Sequence, residues 1–217
     1  FPYTTLFRSR TVNAMKDVIE NFDNDRDKID FSIEFIGREV DGKLTSMHGQ
    51  GEVDEDIRQL CAQKHYAKDY KFLDYVFCRN EAYTKTRGKE PLGTEWEACA
   101  TGGIKADVIR KCFEGDEGNE LLAASFQKAR DLGITGSPNW LLNNKFEMNG
   151  RNPEAIKTAF CAKNEGVEGC ENELASTTPG RRMPAGSCGA GPKKKIEAAK
   201  KAAEKAAKKA AEKKAAE

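Results

Sequence analysis

The stretch Gly136-Ser137-Pro138-Asn139-Trp140-Leu141-Leu142-Asn143 decides the fold, because a proline turn leads directly into a short apolar run. Proline lacks a backbone donor and restricts the residue before it, so Pro138 belongs just before a strand and not inside it. Gly133 stands where a preceding helix would end, as a C-cap. Residues 145–148 predict a second strand, and residues 153–161 a last helix. The predicted order is helix, turn, strand, strand, helix.

The first nine residues do not resemble natural protein. Phe1-Pro2-Tyr3-Thr4-Thr5-Leu6-Phe7-Arg8-Ser9 is the translation of TTTCCCTACACGACGCTCTTCCGATCT, part of a widely used sequencing adaptor. We therefore leave residues 1–9 out of the fold prediction. We expect the natural chain to start near Arg10, with its own N-terminus missing and any signal peptide unobservable.

Three further regions are predicted ahead of the turn. Residues 11–22 carry apolar side chains at helical spacing, which predicts an amphipathic helix. Residues 29–36 alternate apolar and polar, which predicts a strand with one core-facing side. From about 52 to 132 the pattern is helical with breaks, and residues 84–93 form a loop. A helical insertion thus separates the first visible strand from the proline turn.

The end of the chain differs from its body. Residues 10–170 are long enough for one domain with a real core, and residues 171–192 are rich in Gly, Pro, Ser and Thr, which predicts a linker. Residues 193–217 are almost only Ala, Lys and Glu and carry +6, which leaves −5 for residues 1–192 of a chain whose net charge is +1. This composition predicts a solvated basic helix. The functional alternative is electrostatic contact of this tail with an anionic polymer or surface.

Seven cysteines in 217 residues indicate an oxidising compartment. No two have C-x-x-C spacing, so neither a redox dithiol nor a zinc ribbon is visible. Local spacing favours disulfides within the pairs Cys61 and Cys78, Cys99 and Cys112, and Cys161 and Cys170. Six cysteines allow 15 connectivities, so this pairing is a preference. The seventh cysteine, in the linker, is either free or paired with the missing N-terminus.

Other chemistries lack support in the sequence. Cys61 and His65 could share a helical face, but one helical pair is not a four-ligand zinc site, so we predict no metal and no cofactor. No G-x-S-x-G nucleophile elbow and no Gly-rich phosphate loop after a strand is present. No apolar run approaches the roughly 18 residues needed to span a membrane.

With these elements in place, residues 10–170 resemble the DsbA-like branch of the thioredoxin-fold family. The likeness rests on the predicted strand at residues 29–36, the helical insertion, and Ile134-Thr135-Gly136-Ser137-Pro138-Asn139-Trp140-Leu141. His48-Gly49-Gln50-Gly51-Glu52, followed by Cys61, is also similar to the His-Gly segment of lysosomal thiol reductases. The resemblance implies an α/β, thioredoxin-like fold with a helical insertion. It also implies a cis Ser137–Pro138 peptide.

The resemblance further implies a thiol–disulfide oxidoreductase that acts on protein thiols and disulfides. Its compartment would be the periplasm, the secretory lumen or a lysosome-like compartment. Gly136, Ser137 and Pro138 match the family's substrate-binding loop, in which the residue before the proline pairs with substrate backbone. The attacking cysteine of the family opens the first helix, here residues 11–22, and no cysteine precedes that helix. We expect the cysteine motif upstream of Arg10 and expect the present chain to be inactive.

A second hypothesis belongs to another functional class. The protein could be a redox-inactive thioredoxin-fold module that binds peptides or partners, with purely structural cysteines. The coding sequence upstream of Arg10 distinguishes the two hypotheses, because only the oxidoreductase requires a cysteine there.

Overall fold

The computed structural model describes residues 9–86, 95–148 and 152–174, and these form a mixed α/β fold. The first helix, α1, spans Ser9–Asn21 and confirms the helix predicted near the start. The helical insertion contains α2 (Gln50–His65), α3 (Phe72–Thr86), α4 (Ala106–Glu114) and α5 (Asp116–Asp131). The last helix, α6, spans Pro153–Cys161 as predicted. Short 3-10 turns lie at Asp23–Asp25, Lys68–Tyr70, Trp96–Cys99 and Glu168–Glu171.

Two antiparallel hairpins supply the strands of the described residues. The first joins β1 (Arg38–Val40) to β2 (Lys43–Thr45), with Arg38 opposite Thr45. The second joins β3 (Trp140–Leu142) to β4 (Phe146–Met148), with Trp140 opposite Met148. Asn143 and Asn144 turn the second hairpin with φ of 53° at each residue, a left-handed conformation that Asn tolerates well. The strands predicted after the proline turn are therefore confirmed.

The strand predicted over residues 29–36 is not formed as a strand, and this prediction was wrong. The backbone N–H of Ile33 donates to Gln63 Oε1 at 2.7 Å, and Gln63 Nε2 donates back to the Ile33 carbonyl at 3.2 Å. The N–H of Phe35 donates to Ser125 Oγ at 2.8 Å. Side chains of the insertion thus satisfy backbone groups that a neighbouring strand would otherwise pair.

The side chains of this segment nevertheless alternate as predicted. Ile33 and Phe35 are buried in the main core, whereas Glu34 bonds to Ser125 on α5 and Ile36 packs in a second, smaller cluster. A period of two is the signature of extended chain. Residues 33–36 therefore have the two faces of a strand, with a single bridge at Glu34 in place of an extended ladder.

The helices enclose the core from several sides. α1 packs against α3 and α6, and α2 packs against α3, α4 and α5. The rings of Phe22 and Phe160 join the end of α1 to α6 with centroids 4.8 Å apart. β3 is buried at all three of its positions, with Trp140 and Leu142 in the main core and Leu141 in the second cluster. Burial on both faces is typical of an inner strand of a covered sheet.

Three disulfides link the six cysteines of the described residues, but two of the preferred pairings were wrong. Cys161 pairs with Cys170 as predicted. Cys61 pairs with Cys112 and Cys78 with Cys99, in place of the predicted 61–78 and 99–112 pairs. The reason is helix packing: α2 lies against α4, and α3 lies against the Trp96–Cys99 turn. Each disulfide therefore joins elements that pack against each other, and none of these cysteines is exposed.

Local signals fixed the helix ends near the proline turn. Gly133 follows α5 with φ of 68°, and its N–H donates to the Arg130 carbonyl at 2.9 Å, which confirms its role in ending the helix. Asn152 caps α6, because its side chain accepts from the Glu154 N–H at 2.9 Å. Thus the helices on both sides of the β3–β4 hairpin end or begin where the sequence predicts.

Several predictions fall on residues outside the described ranges. These are the adaptor-derived residues 1–8, most of the 84–93 loop, the linker from residue 175 onward and the basic tail at 193–217. Among the residues that are described, no helix is both long and apolar enough to cross a membrane.

Candidate functional site

The Gly136–Pro138 turn connects α5 to the buried strand β3. Gly136 is exposed, whereas Ser137 and Pro138 are half-buried. The Ser137–Pro138 peptide is cis, as expected. The turn therefore presents a partly accessible backbone at the point where the chain enters the core.

An apolar groove lies beside this strand. It has a volume of about 400 Å³, within the range of small-molecule pockets. Its lining comes from elements far apart in the sequence: the last turns of α1, the start of the 29–36 segment, the β3–β4 hairpin and α6. Among its lining residues are Val18, Ile19, Phe22, Phe31, Trp140 and Phe160. The groove is thus the place where the predicted first helix and the predicted proline-turn hairpin meet.

Three buried polar atoms at the starts of α1 and β3 have no hydrogen-bond partner among the described residues. They are Thr11 Oγ1 at the start of α1, and Asn139 Oδ1 and Trp140 Nε1 at the start of β3. Thr11 is fully buried and Trp140 is 3% exposed. Buried polar atoms in native proteins are nearly always satisfied, so this group needs an explanation.

The start of α1 is electrostatically suited to hold an anion. No acidic residue occupies its first turn. A helix N-terminus carries partial positive charge that stabilises a thiolate. No cysteine lies within Ser9–Asn21.

The sequence analysis missed a buried charged cluster at the start of α2. Glu52, Glu55 and Asp56 are all fully buried on consecutive turns. Glu55 binds two guanidinium groups: Arg58 Nε lies 3.0 Å from its Oε2, and Arg79 Nε lies 3.0 Å from its Oε1. The charge-assisted Arg79–Glu55 pair joins α3 to α2, whereas the Arg58–Glu55 pair lies within α2.

Asp56 is the residue of this cluster whose charged form is destabilised by burial. Burial, and then the neighbouring carboxylates of Glu52 and Glu55, raise its pKa well above the usual value, and Arg58 offsets this only in part. Neither carboxyl oxygen has a hydrogen-bond partner among the described residues. The sequence analysis predicted only that this region is helical. No local sequence signal indicates that these acidic residues are buried, because their burial depends on the helices that pack against α2.

The His-Gly segment forms the entry to α2. The backbone N–H of His48 donates to Glu52 Oε2 at 3.0 Å, and its Nδ1 lies 3.1 Å from the same carboxylate. Gly49 precedes the helix with φ of 87°, a conformation that favours glycine. This geometry gives the segment a helix-capping role.

One group of potential metal ligands occurs among the described residues. Atoms of His65, Cys112 and Glu117 lie within 4.8 Å of one another, and His65 Nε2 is 3.1 Å from Glu117 Oε2. Cys112 is bonded to Cys61, so its sulfur is not available as a thiolate. The sequence analysis considered Cys61 and His65 as possible zinc ligands, but Cys61 is also bound in this disulfide.

Comparison of the chain with protein-family models and with curated proteins found no match.

Proposed function

We propose that the full-length protein is a thiol–disulfide oxidoreductase of the DsbA-like, thioredoxin-fold kind, acting on protein thiols and disulfides. The present chain then lacks the active-site cysteine motif, which belongs just before Arg10. Ser137 and Pro138, with Gly136, form its substrate-binding loop.

The observation that carries the proposal is the convergence on one groove of α1, the hairpin that follows the 136–138 turn, and α6. In the sequence, α1 is separated from the hairpin and α6 by more than a hundred residues, most of them in the helical insertion. The order helix, extended segment, insertion, proline turn, hairpin and helix is that of a thioredoxin-like fold. It supports a nucleophile at the start of α1 and a substrate-binding loop at the start of β3.

The chemistry follows from the start of α1. A cysteine there would ionise readily, because the helix N-terminus favours the thiolate and no first-turn carboxylate opposes it. The thiolate attacks one sulfur of a substrate disulfide, forming a mixed disulfide and expelling the other substrate sulfur as a thiolate. A second thiolate, from the enzyme or the medium, resolves the mixed disulfide. The substrate disulfide gains two electrons, and the attacking and resolving thiols lose them.

The three disulfides of the body have a different role in this proposal. They are structural, because each joins packed elements and none of their cysteines is exposed. Such bonds fit an oxidising, extracytoplasmic environment. We place the protein in the periplasm, the secretory lumen or a lysosome-like compartment.

A second candidate function is a redox-inactive module that binds an extended peptide. The groove favours it, since the half-buried rings of Phe31 and Phe160 line it beside a buried strand. This candidate needs no cysteine before Arg10.

The test compares two forms of the protein in disulfide exchange. One is the 217-residue chain, and the other carries the native residues upstream of Arg10. We expect turnover of a protein disulfide only in the second, and we expect alkylation of its first cysteine to stop it. If the native upstream residues contain no cysteine, the oxidoreductase proposal fails and the binding module is left.

A further inference from the structure

A cluster of metal-ligand side chains lies where α2, α4 and α5 meet. His65 is on the last turn of α2, Cys112 is on α4, and Glu117 is on the first turn of α5. One ligand atom of each lies within 4.8 Å of those of the other two, and His65 Nε2 is 3.1 Å from Glu117 Oε2. A sulfur, an imidazole nitrogen and a carboxylate oxygen, which are the donor types that bind zinc in proteins, thus meet in one place.

Cys61 brings a fourth donor to this cluster. Its sulfur is bonded to that of Cys112, and it precedes His65 by four residues on α2, a spacing that puts both side chains on one face of the helix. The sequence shows only this helical pair, which is too few ligands for a zinc site. The fold adds Cys112 and Glu117 and so raises the number of ligands to four.

The disulfide decides which state of the chain can use these ligands. In the oxidised chain neither sulfur is a thiolate, so His65 and Glu117 form only a partly exposed pair. A dithiol reduces the bond by thiol–disulfide exchange: the dithiol loses two electrons and becomes a disulfide, while Cys61 and Cys112 become thiols. Binding of Zn²⁺ then displaces one proton from each thiol. Two thiolates on a tetrahedral zinc lie about 3.8 Å apart, which the 5.9 Å between the two Cα atoms allows.

Helix packing positions the ligands independently of the disulfide. Gly118 lets α5 approach α2 closely, since a Cβ there would lie 2.5 Å from Ile57 Cγ2 and 2.7 Å from the Cys112 carbonyl oxygen. Ile57 on α2, Ile109 on α4 and Leu122 on α5 are buried together in the main core. We therefore expect the three helices to stay packed when the two sulfurs separate.

We propose that the reduced chain binds one Zn²⁺ through Cys61, His65, Cys112 and Glu117, and that the ion replaces the disulfide as the link from α2 to α4 and α5. Thiolate and imidazole together select zinc over magnesium or calcium. The side chains of His65 and Glu117 are 34% and 43% exposed, which gives the ion a route from solvent. The proposal needs neither a cysteine before Arg10 nor exchange activity, so it stands or fails separately from the proposed function.

Oxidation should reverse the binding. A small disulfide such as oxidised glutathione takes two electrons from the two thiolates and leaves as two thiolates, while the Cys61–Cys112 bond re-forms and Zn²⁺ is released. In an oxidising compartment the chain therefore carries the disulfide, and the zinc form belongs to a reducing environment.

The test uses the full 217-residue chain, reduced with dithiothreitol and desalted without oxygen. It is titrated with Co²⁺, whose absorption reports thiolate ligands, and Zn²⁺ competition then gives the affinity for zinc. His65→Gln and Glu117→Gln each remove one partly exposed ligand. The matched controls are His48→Gln, at the only other histidine, and Glu120→Gln, at an exposed position of α5. Thermal unfolding of the oxidised variants verifies that each one folds.

We expect one equivalent of Co²⁺ to bind the reduced chain with thiolate-to-metal charge-transfer absorption, and oxidised glutathione to release it. His65→Gln and Glu117→Gln should each weaken binding by at least about tenfold, and the controls should bind as the parent chain does. If reduction lowers the helical circular dichroism, Zn²⁺ should restore it in the parent and the controls but not in the two ligand variants.

Equal affinity in all variants would overturn the proposal, because the metal would then be bound only by the other reduced cysteines. Binding of the same strength to the oxidised chain would overturn it too, since no Cys61 or Cys112 thiolate is present there. A Cys61→Ser variant that keeps the parent's affinity and charge-transfer intensity would contradict the assignment of four ligands.

Discussion

Removing the Cys61–Cys112 disulfide should destabilise the domain more than removing Cys161–Cys170. In the chain-entropy description, a crosslink stabilises by restricting the unfolded chain, and its effect grows with the logarithm of the loop it closes. The two disulfides close loops with sequence separations of 51 and 9. That relation gives about 4 kcal/mol for the longer loop and about 2.6 kcal/mol for the shorter.

The burial of the cysteines, like the loop length, predicts a larger loss of stability when the Cys61–Cys112 disulfide is removed. Cys61 is fully buried and Cys112 is 2% exposed, whereas Cys161 and Cys170 are only half-buried. Replacing the first pair by alanine therefore also removes packing that the second pair does not provide. The free energies of unfolding of the two double variants should therefore differ by at least about 1.5 kcal/mol.

The assay is urea unfolding followed by far-ultraviolet circular dichroism on the two double Cys→Ala variants. With a denaturant slope of about 1–3 kcal/mol/M, the 61/112 variant should unfold roughly 0.5–1.5 M below the 161/170 variant. The Cys78 and Cys99 variant, with a separation of 21, should fall between them. Equal midpoints, or a larger loss for the 161/170 variant, would refute the reasoning from this connectivity. Non-reducing peptide maps should show 61 joined to 112 and 78 joined to 99.

Three other changes probe independent features. Asp56→Asn should stabilise the domain at pH 7 by at least about 1 kcal/mol. Because its pKa is raised on folding, Asp56 contributes its full stability below the pKa of the unfolded chain, and this contribution falls as pH rises, by up to about 1.4 kcal/mol per pH unit. The stability that Asp56→Asn adds should therefore shrink towards pH 4 in unfolding titrations. Asp54→Asn on the same helix controls for loss of one carboxylate, and a gain that is independent of pH would contradict the account. Gly118→Ala should cost about 1–3 kcal/mol, because its Cβ would lie 2.5 Å from Ile57 Cγ2 and 2.7 Å from the Cys112 carbonyl oxygen, whereas Gly136→Ala, with open space around it, should stay within about 0.5 kcal/mol. Similar losses in both glycine variants would remove the packing explanation. Deleting residues 193–217 should leave the unfolding midpoint unchanged, as expected of a solvated tail; a drop of several degrees would mean that the tail packs on the body, and salt-sensitive binding to an anionic polymer would give it a function.

The local signals around the proline turn could be predicted from the sequence. Gly133 and Asn152 act through groups within a few residues of themselves, so helix ends there are visible without tertiary structure. The two strands of the hairpin were predicted for the same reason, since an apolar run and an Asn-Asn turn are local features. The groove was not predicted, because it forms only when residues distant in the sequence, such as Phe22 and Phe160, pack together in the folded protein.

The sequence-based predictions were wrong where contacts between residues distant in the sequence determined the structure. Residues 29–36 have the alternation of a strand, but Gln63 and Ser125 take up backbone groups that a strand partner would bond. Cysteine spacing favoured neighbours along the chain, whereas helix packing decided the actual pairs. The burial of Asp56 was equally invisible, because it depends on α2 being covered by three other helices.

The proposed oxidoreductase makes one chemical statement that can be tested directly, namely that the reacting sulfur stands immediately before α1. The protein with its native upstream residues is mixed with a disulfide-containing substrate, quenched with acid, and its covalent adducts are mapped by mass spectrometry. We predict a mixed disulfide on the cysteine just upstream of Arg10, with the Cys61–Cys112, Cys78–Cys99 and Cys161–Cys170 bonds unchanged. An adduct on any of those six cysteines, or no adduct on a restored chain that is folded, would contradict the account.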